Sequence, residues 1–260
     1  MKCRDILYIV GKGCSACDDF ELRMSLRSIA MFGINIGRVY VAGYCPSWLS
    51  ENVIRIPYHD GRKLKSTGHA AKTYNIASAI LHAVKATDIG DEFLVSMDDH
   101  FYIRPTDFAA TKRFARDYTQ RPNRHYLPLR VEPGKAPVYQ RTMSRTREFL
   151  ESHGMSVFFF TGHRNMLLSR ISVLECEPYI REMRAKDTPV EAFCLFNNYE
   201  YTRRGFEFDI IDDVKIHNPE SWWKADPALT DVFSTVNFTR DNPLYNLISG
   251  LYPDKCQYEI

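Results

Sequence analysis

The chain has 260 residues, 45% of them hydrophobic and 25% charged, which excludes a disordered, collagen-like or coiled-coil protein and is enough to bury a full core. With 34 Lys and Arg against 32 Asp and Glu the net charge is only +2, so the total names no partner. Its distribution says more: between Lys112 and Arg147 ten basic residues face two acidic ones, giving +8 and leaving −6 for the remainder. Such a stretch either is a solvated surface or attracts a polyanion such as nucleic acid, an anionic glycan or a membrane.

The seven cysteines are odd in number and scattered. The apolar run from Ile6 to Val10 is too short for a secretory leader, and no run approaches the roughly 18 apolar residues of a membrane span. The expectation is a cytoplasmic protein with reduced thiols. Cys14 and Cys17 form a C-x-x-C with no second pair to complete a zinc site.

Asp5 to Val10 reads as a buried strand running into the glycine-rich turn Gly11-Lys12-Gly13. A helix opens after Asp18-Asp19, whose charge suits a helix start. Strands are predicted over Arg38 to Ala42 and Val53 to Pro57, a helix over Ala70 to Ala86, and a fourth strand over Glu92 to Met97. This alternation points to an α/β fold with a mixed, mostly parallel sheet flanked by helices.

Beyond residue 100 the spacing predicts a helix over Asp107 to Tyr118, an irregular binding loop over Pro122 to Pro137, and a helix over Thr142 to His153. Met155 to Thr161 and Phe206 to Ile211 read as strands. Thr188-Pro189-Val190-Glu191 has the Ser/Thr-x-x-Glu capping pattern with proline at the first helical position.

The sharpest chemical feature is Asp98-Asp99-His100 at the carboxyl end of the fourth strand, where ligands gather in open α/β sheets. Two adjacent carboxylates there either begin a turn or bind a hard divalent cation, Mg²⁺ or Mn²⁺, that keeps positions open for phosphates. Asp98 and Asp99 are the expected ligands, with His217 a further one after its strand. His100 and His163 are weaker choices. Glu191 is either a catalytic base with a carboxyl tuned upward by burial, or a helix cap.

The strand DILYIV, the helix AAKTYNIASAI and the strand EFLVSM ending in Asp-Asp-His make residues 5 to 105 resemble the nucleotide-sugar-binding half of GT-A glycosyltransferases. Within that class three blocks resemble Stealth-type sugar-phosphate transferases: Glu21 to Ile29, Pro46 to Leu49, and Phe93 to Phe101. The first strand departs from that family, reading VGKG where it carries an acidic, Trp-containing turn, and this favours ordinary glycosyl transfer.

The resemblance implies one GT-A-like domain over 1–260, with the donor half in 1–105 and the acceptor half in 106–260. It implies a nucleotide-sugar donor, a UDP-sugar first among them, and a divalent metal on Asp98 and Asp99, with Asp99 catalytic. Val10, Gly11 and Lys12 would lie by the nucleotide, Arg23 or Arg27 would face the diphosphate, and Asn75 would approach the nucleotide or sugar.

The basic stretch further resembles phage glycosyltransferases that decorate modified bases in DNA. Arg113, Arg116, Arg121, Arg124, Arg141 and Arg145 would then hold phosphates, with Tyr126 or Tyr139 nearby. Capsular or surface polysaccharide is the competing acceptor, reached by glycosyl or sugar-1-phosphate transfer.

Overall fold

The computed structural model describes residues 3–11, 16–59, 69–117, 126–128, 137–235 and 240–260. In chain order the first part comprises β1 (Arg4–Val10), α1 (Ala16–Phe32), β2 (Gly33–Ile34), β3 (Ile36–Gly43), β4 (Val53–Pro57), α2 (His69–Ala86) and β5 (Glu92–Ser96). All four long strands and both helices predicted from the sequence are present. The right-handed turns of α1 begin at Phe20, because Cys17, Asp18 and Asp19 all take positive φ, at 69°, 61° and 56°. Non-glycine residues avoid that region by about 1–2 kcal/mol each, so the segment before the helix is a constrained turn.

The central sheet has five strands in the order β4-β3-β1-β5-β9, where β9 is Met166–Ser169. The first four are parallel, and β9 runs antiparallel to β5, with Phe93 opposite Leu168. Along β1 the side chains alternate with the strand period: Leu7 and Ile9 enter one core layer, Ile6, Tyr8 and Val10 the other. Gly43 closes β3 at φ +102°, and a side chain there would collide with the Val10 carbonyl. The close approach lets Tyr44 N–H donate to Val10 O at 2.8 Å, which seals the carboxyl end of β1.

The remainder is built of short pieces. After β5 come β6 (His100–Tyr102), β7 (Thr106–Asp107), a 3₁₀ turn at Phe108–Ala110, β8 (Phe114–Arg116) and α3 (Val138–Ser152). Then β9 is followed by α4 (Arg170–Glu175), α5 (Glu177–Ala185), α6 (Ala192–Arg204), β10 (Asp209–Ile211) and β11 (Lys215–Ile216). A 3₁₀ helix at Pro219–Ala225, β12 (Val232–Thr235) and α7 (Pro243–Leu251) complete the order. A three-stranded sheet β11-β12-β6 stands beside the central one.

Several expectations for this region are corrected. Asp107 to Tyr118 is not a helix: the Asp107 carboxylate caps a single 3₁₀ turn through Ala109 N, and Phe114 to Arg116 then pair with β10. Met155 to Thr161 is extended and is assigned to no sheet among the described residues; beside the bridge of Phe158 with Tyr126, Val157 O accepts from Leu127 N–H at 2.8 Å and Phe159 O from Arg116 N–H at 2.9 Å. At Phe158 the Asn198 side chain supplies both backbone partners, accepting from Phe158 N–H at 2.8 Å and donating to Phe158 O at 2.9 Å. The sheet strand is instead β9, which the sequence reading missed. Only Asp209 to Ile211 of the strand predicted over Phe206 to Ile211 pairs. The helix predicted at Thr188 starts later, at Ala192, with Glu191 itself as the cap.

Residues 256–260 fold back under α1. Glu259, with no side-chain exposure, receives Arg27 Nε at 2.7 Å and Arg23 Nη1 at 3.1 Å. Burial alone would raise this carboxyl, but Arg27, the Cys256 N–H and Arg23 hold it below the usual range. Its stabilisation is therefore present at neutral pH and lost as pH falls through that lowered value. Glu259→Ala leaves two guanidinium groups without their buried partner, and urea denaturation is expected to show a loss of about 3 kcal/mol. An unchanged midpoint would contradict this account of the pair.

Candidate functional site

The site forms where β1 and β5 end side by side. Tyr8 stands opposite Ser96 in the parallel register, and the chain then turns through Met97, Asp98 and Asp99 into β6. Ser25 of α1 ties this turn down: its hydroxyl donates to His100 O at 2.6 Å and contacts Tyr8 Oη at 3.0 Å. His100 is buried, its Nδ1 accepting from Met97 N–H at 3.4 Å, and burial lowers its pKa, so the imidazole is neutral. Its Nε2 lies 3.8 Å from Asp99 Oδ1. The histidine is thus a support for the turn from within.

Asp98 and Asp99 are half-buried and share the site with Glu21, only 3% exposed on α1. Burial first, and then Asp98 and Asp99, push the Glu21 carboxyl up to about 8. Burial and Asp99 push Asp98 up to about 7, against the pull of Lys72. Lys215 and Lys72 also act on Glu21, so two ammonium groups face three carboxylates.

Glu21, Lys72 and Lys215 escaped the sequence reading, although Glu21 had a signal. Glu21, Ser25 and Ser28 recur at i, i+4 and i+7 on a buried face of α1, a polar stripe where an apolar one belongs.

Asp213, His163, Arg116 and Lys215 adjoin this group. Asp213 has 2% side-chain exposure, pairs with Arg116 Nε at 2.9 Å and accepts from His163 N–H. Burial, followed by Lys215, Arg116, His100 and His217, drives the His163 pKa down to about 2. His217 is exposed just after β11 and close enough to act on His163.

The other expected residues are divided between this edge and other parts of the fold. Val10 is buried at the end of β1 and Gly11 exposed beyond it, while Asn75 is exposed on α2. Lys12, Arg121 and Arg124 lie outside the described residues. Arg23 and Arg27 are two and six positions beyond Glu21, which at about 100° per residue places them away from the Glu21–Ser25 face. They bind Glu259, Arg23 stacks over Trp48 at 4.0 Å, and both line a cavity of about 270 Å³ with Phe20, Tyr245 and Arg240.

Arg113 is engaged within the fold by Glu92 at 3.2 Å and Glu200 at 2.8 Å, and Arg116 by Asp213. Arg141 is half-buried on α3 and Arg145 exposed there. The basic stretch is therefore partly neutralised from inside. Ion pairing consumes what the one-dimensional count presents as free charge.

Glu191 is buried among the residues of α3 and α6 and accepts from Cys194 N–H at 2.8 Å, while its own N–H donates to Thr146. Of the two roles open to it, the geometry shows the cap.

The donor set suits a hard divalent cation, since Asp98 and Asp99 offer only carboxylate oxygens and repel each other at close range. Among the described residues no group of three or more His, Cys, Asp and Glu is arranged to hold an ion unaided. Phosphate oxygens of a bound donor would have to complete the coordination.

Comparison with known proteins places this geometry. No family model matches the sequence. The exopolysaccharide phosphotransferase CpsY of Mycobacterium leprae is 32% identical over 106 residues, 38% of this chain and 19% of that protein, so the chain spans less than a fifth of that relative. The crystal structure of the galactosyltransferase LgtC in complex with donor and acceptor sugar analogues aligns over 96% of both chains, at 12% identity and a TM-score of 0.50.

The Glu191 geometry has a measurable consequence. Burial, partly offset by the Cys194 N–H, raises its carboxyl from 4.5 to about 7. The folded protein thus keeps a proton the unfolded chain has shed, so this stabilisation is full below pH 4.5 and lost as pH rises through about 7. Glu191→Gln keeps an oxygen for the cap. It is expected to flatten the fall of the urea midpoint between about pH 5 and 8 and to preserve turnover; lost turnover with an unaltered profile would restore the catalytic role.

With carboxylates at the carboxyl edge of its parallel strands and LgtC as a neighbour along nearly its whole length, this chain has the fold of the GT-A glycosyltransferases.

Proposed function

We propose that this protein is a transferase that moves a sugar unit from a nucleotide-sugar to a hydroxyl of a glycan. The observation that carries the reading is the grouping of Asp98, Asp99 and Glu21 at the carboxyl ends of β1 and β5 in a GT-A-like sheet. A buried Glu21 whose carboxyl is pushed up by Asp98 and Asp99 favours a cationic or hydrogen-bond-donating ligand, and Lys72 and Lys215 supply positive potential for phosphate oxygens. Asp98 and Asp99 would hold a divalent ion, with His217, which acts on His163 nearby, a further candidate ligand. Bound there, Mg²⁺ or Mn²⁺ supplies Lewis acidity that neutralises charge developing on the departing phosphate. The remaining work belongs to the chain: β1 and Gly11 border the nucleotide, Ser25 and His100 hold the aspartate turn, and the acceptor oxygen approaches from the side of His217.

Two bonds are open to the acceptor. Attack at the anomeric carbon releases a nucleoside diphosphate, and attack at the sugar-bearing phosphorus releases a nucleoside monophosphate. The CpsY relative, a phosphotransferase by name, favours the second, despite the VGKG turn that favours the first. A glycan acceptor is preferred to DNA, because Arg113 and Arg116 are held by Glu92, Glu200 and Asp213.

A panel of nucleotide-sugars with and without Mn²⁺, read by thermal shift and by the nucleotide released, tests the assignment. One donor is expected to give a metal-dependent shift, and the identity of the released nucleotide decides the bond. Asp99→Ala should lose turnover by at least about 100-fold with its far-UV spectrum unchanged. Full activity in that variant, or no donor binding across the panel, would overturn the reading.

A further inference from the structure

The 3₁₀ helix at Pro219–Ala225 carries two neighbouring tryptophans with opposite fates. At three residues per turn, side chains at i and i+3 eclipse, so Pro219, Trp222 and Ala225 share one face and Glu220 and Trp223 another. The first face is inward: Ala225 is buried, and Trp222 meets Phe233 edge-on at 5.4 Å. Phe233 in turn stands opposite Phe101, the residue after His100. The helix is therefore seated on β12, the neighbour of the strand that leaves the aspartate turn.

Its start is equally fixed, by a reciprocal capping box between Asn218 and Ser221 and by Pro219 at the first position. Trp223 is left 66% exposed on this anchored turn, beside exposed Glu220 and the exposed cap residue Asp226, with Lys224 Nζ 5.7 Å from its ring.

A large aromatic side chain held in water by a rigid element forgoes substantial burial. Its helix follows β11, whose Lys215 acts on Glu21, and packs on β12 beside β6, so Trp223 belongs to the part of the chain that borders the candidate site. We propose that Glu220 and Trp223 form the acceptor subsite and receive a pyranose ring of a glycan, an inference that rests on the sugar-transfer reading above. The negative face of the indole attracts the polarised C–H bonds on the flat side of a sugar ring. The Glu220 carboxylate accepts hydrogen bonds from ring hydroxyls at the same level.

Charge selects against other occupants. Glu220 and Asp226 outnumber Lys224, so the surface repels nucleic acid and anionic lipid, whereas an uncharged, hydroxyl-rich ring carries no such penalty. The wide exposure of the indole also suits a polymer end approaching from solvent.

Saturation-transfer NMR on the full chain, with lactose, maltotriose and cellotriose as probes, tests the subsite without requiring turnover. At least one sugar is expected to bind the native protein, to bind Trp223→Ala about tenfold more weakly and Glu220→Gln more weakly, and to bind Trp223→Phe nearly as well. Leu229→Ala, an equally exposed apolar control, is expected to bind as the native protein does. Since Trp223 is exposed, its variants should keep the native circular dichroism.

Native-like binding by Trp223→Ala, or no binding of any probe to the native protein, overturns the subsite. So does Trp223-dependent sedimentation with phosphatidylcholine vesicles in place of sugar binding. The nucleotide-sugar thermal shift is measured separately. Its absence would defeat the transferase reading while the sugar titration still reports on Trp223.

Discussion

Holding like charges together at the edge of a sheet is the constraint around which this molecule is organised. Asp98, Asp99 and Glu21 come from two segments far apart in sequence and meet where burial and repulsion raise the pKa values of Glu21 and Asp98. Such a group persists because the scaffold around it is over-determined. β1 and β5 pair in parallel, and Ser25 joins α1 to the first residue of β6. His100 braces the turn from below in its neutral form. Lys72 and Lys215 offset part of the repulsion. What remains is a standing preference for a cationic or hydrogen-bond-donating ligand.

The two faces of α1 divide the labour. Its polar stripe of Glu21, Ser25 and Ser28 turns toward the strand ends and the aspartate turn. Arg23 and Arg27, on another face, grip the buried Glu259. An arginine pair that would serve a diphosphate equally well by charge is thereby committed to holding the last residues against the helix. Charge alone does not distinguish these roles; helical phase does. The same rule acts in the 3₁₀ helix after β11, where a three-residue period sends Trp222 into the core and leaves Trp223 in solvent.

Much of the first hundred residues was legible because their signals are local. A β-branched run, an acidic helix start and a compact Asp-Asp-His need no distant partner to be recognised, and β1, β3, β4, β5, α1 and α2 all stand where the sequence places them. The second half was read less well because its backbone is satisfied at long range. Within Met155 to Thr161, Asn198 satisfies the backbone of Phe158 through its side chain, and Leu127 and Arg116 reach Val157 and Phe159 from distant segments. Glu191 terminates a helix through its own carboxylate, so the Thr188 pattern marks the right vicinity and the wrong residue.

By itself, then, the sequence determined the α/β order, the carboxyl-edge position of Asp98 and Asp99, and the segments that alternate into the two core layers. These follow from periodicity and turn chemistry, which are properties of neighbours along the chain. Only the tertiary structure decided which charges are free. It joined Glu21 to the aspartates, gave Arg113 and Arg116 carboxylate partners, and set Glu191 as a cap. Electrostatic energy depends on distances and burial that exist only once the chain has closed on itself.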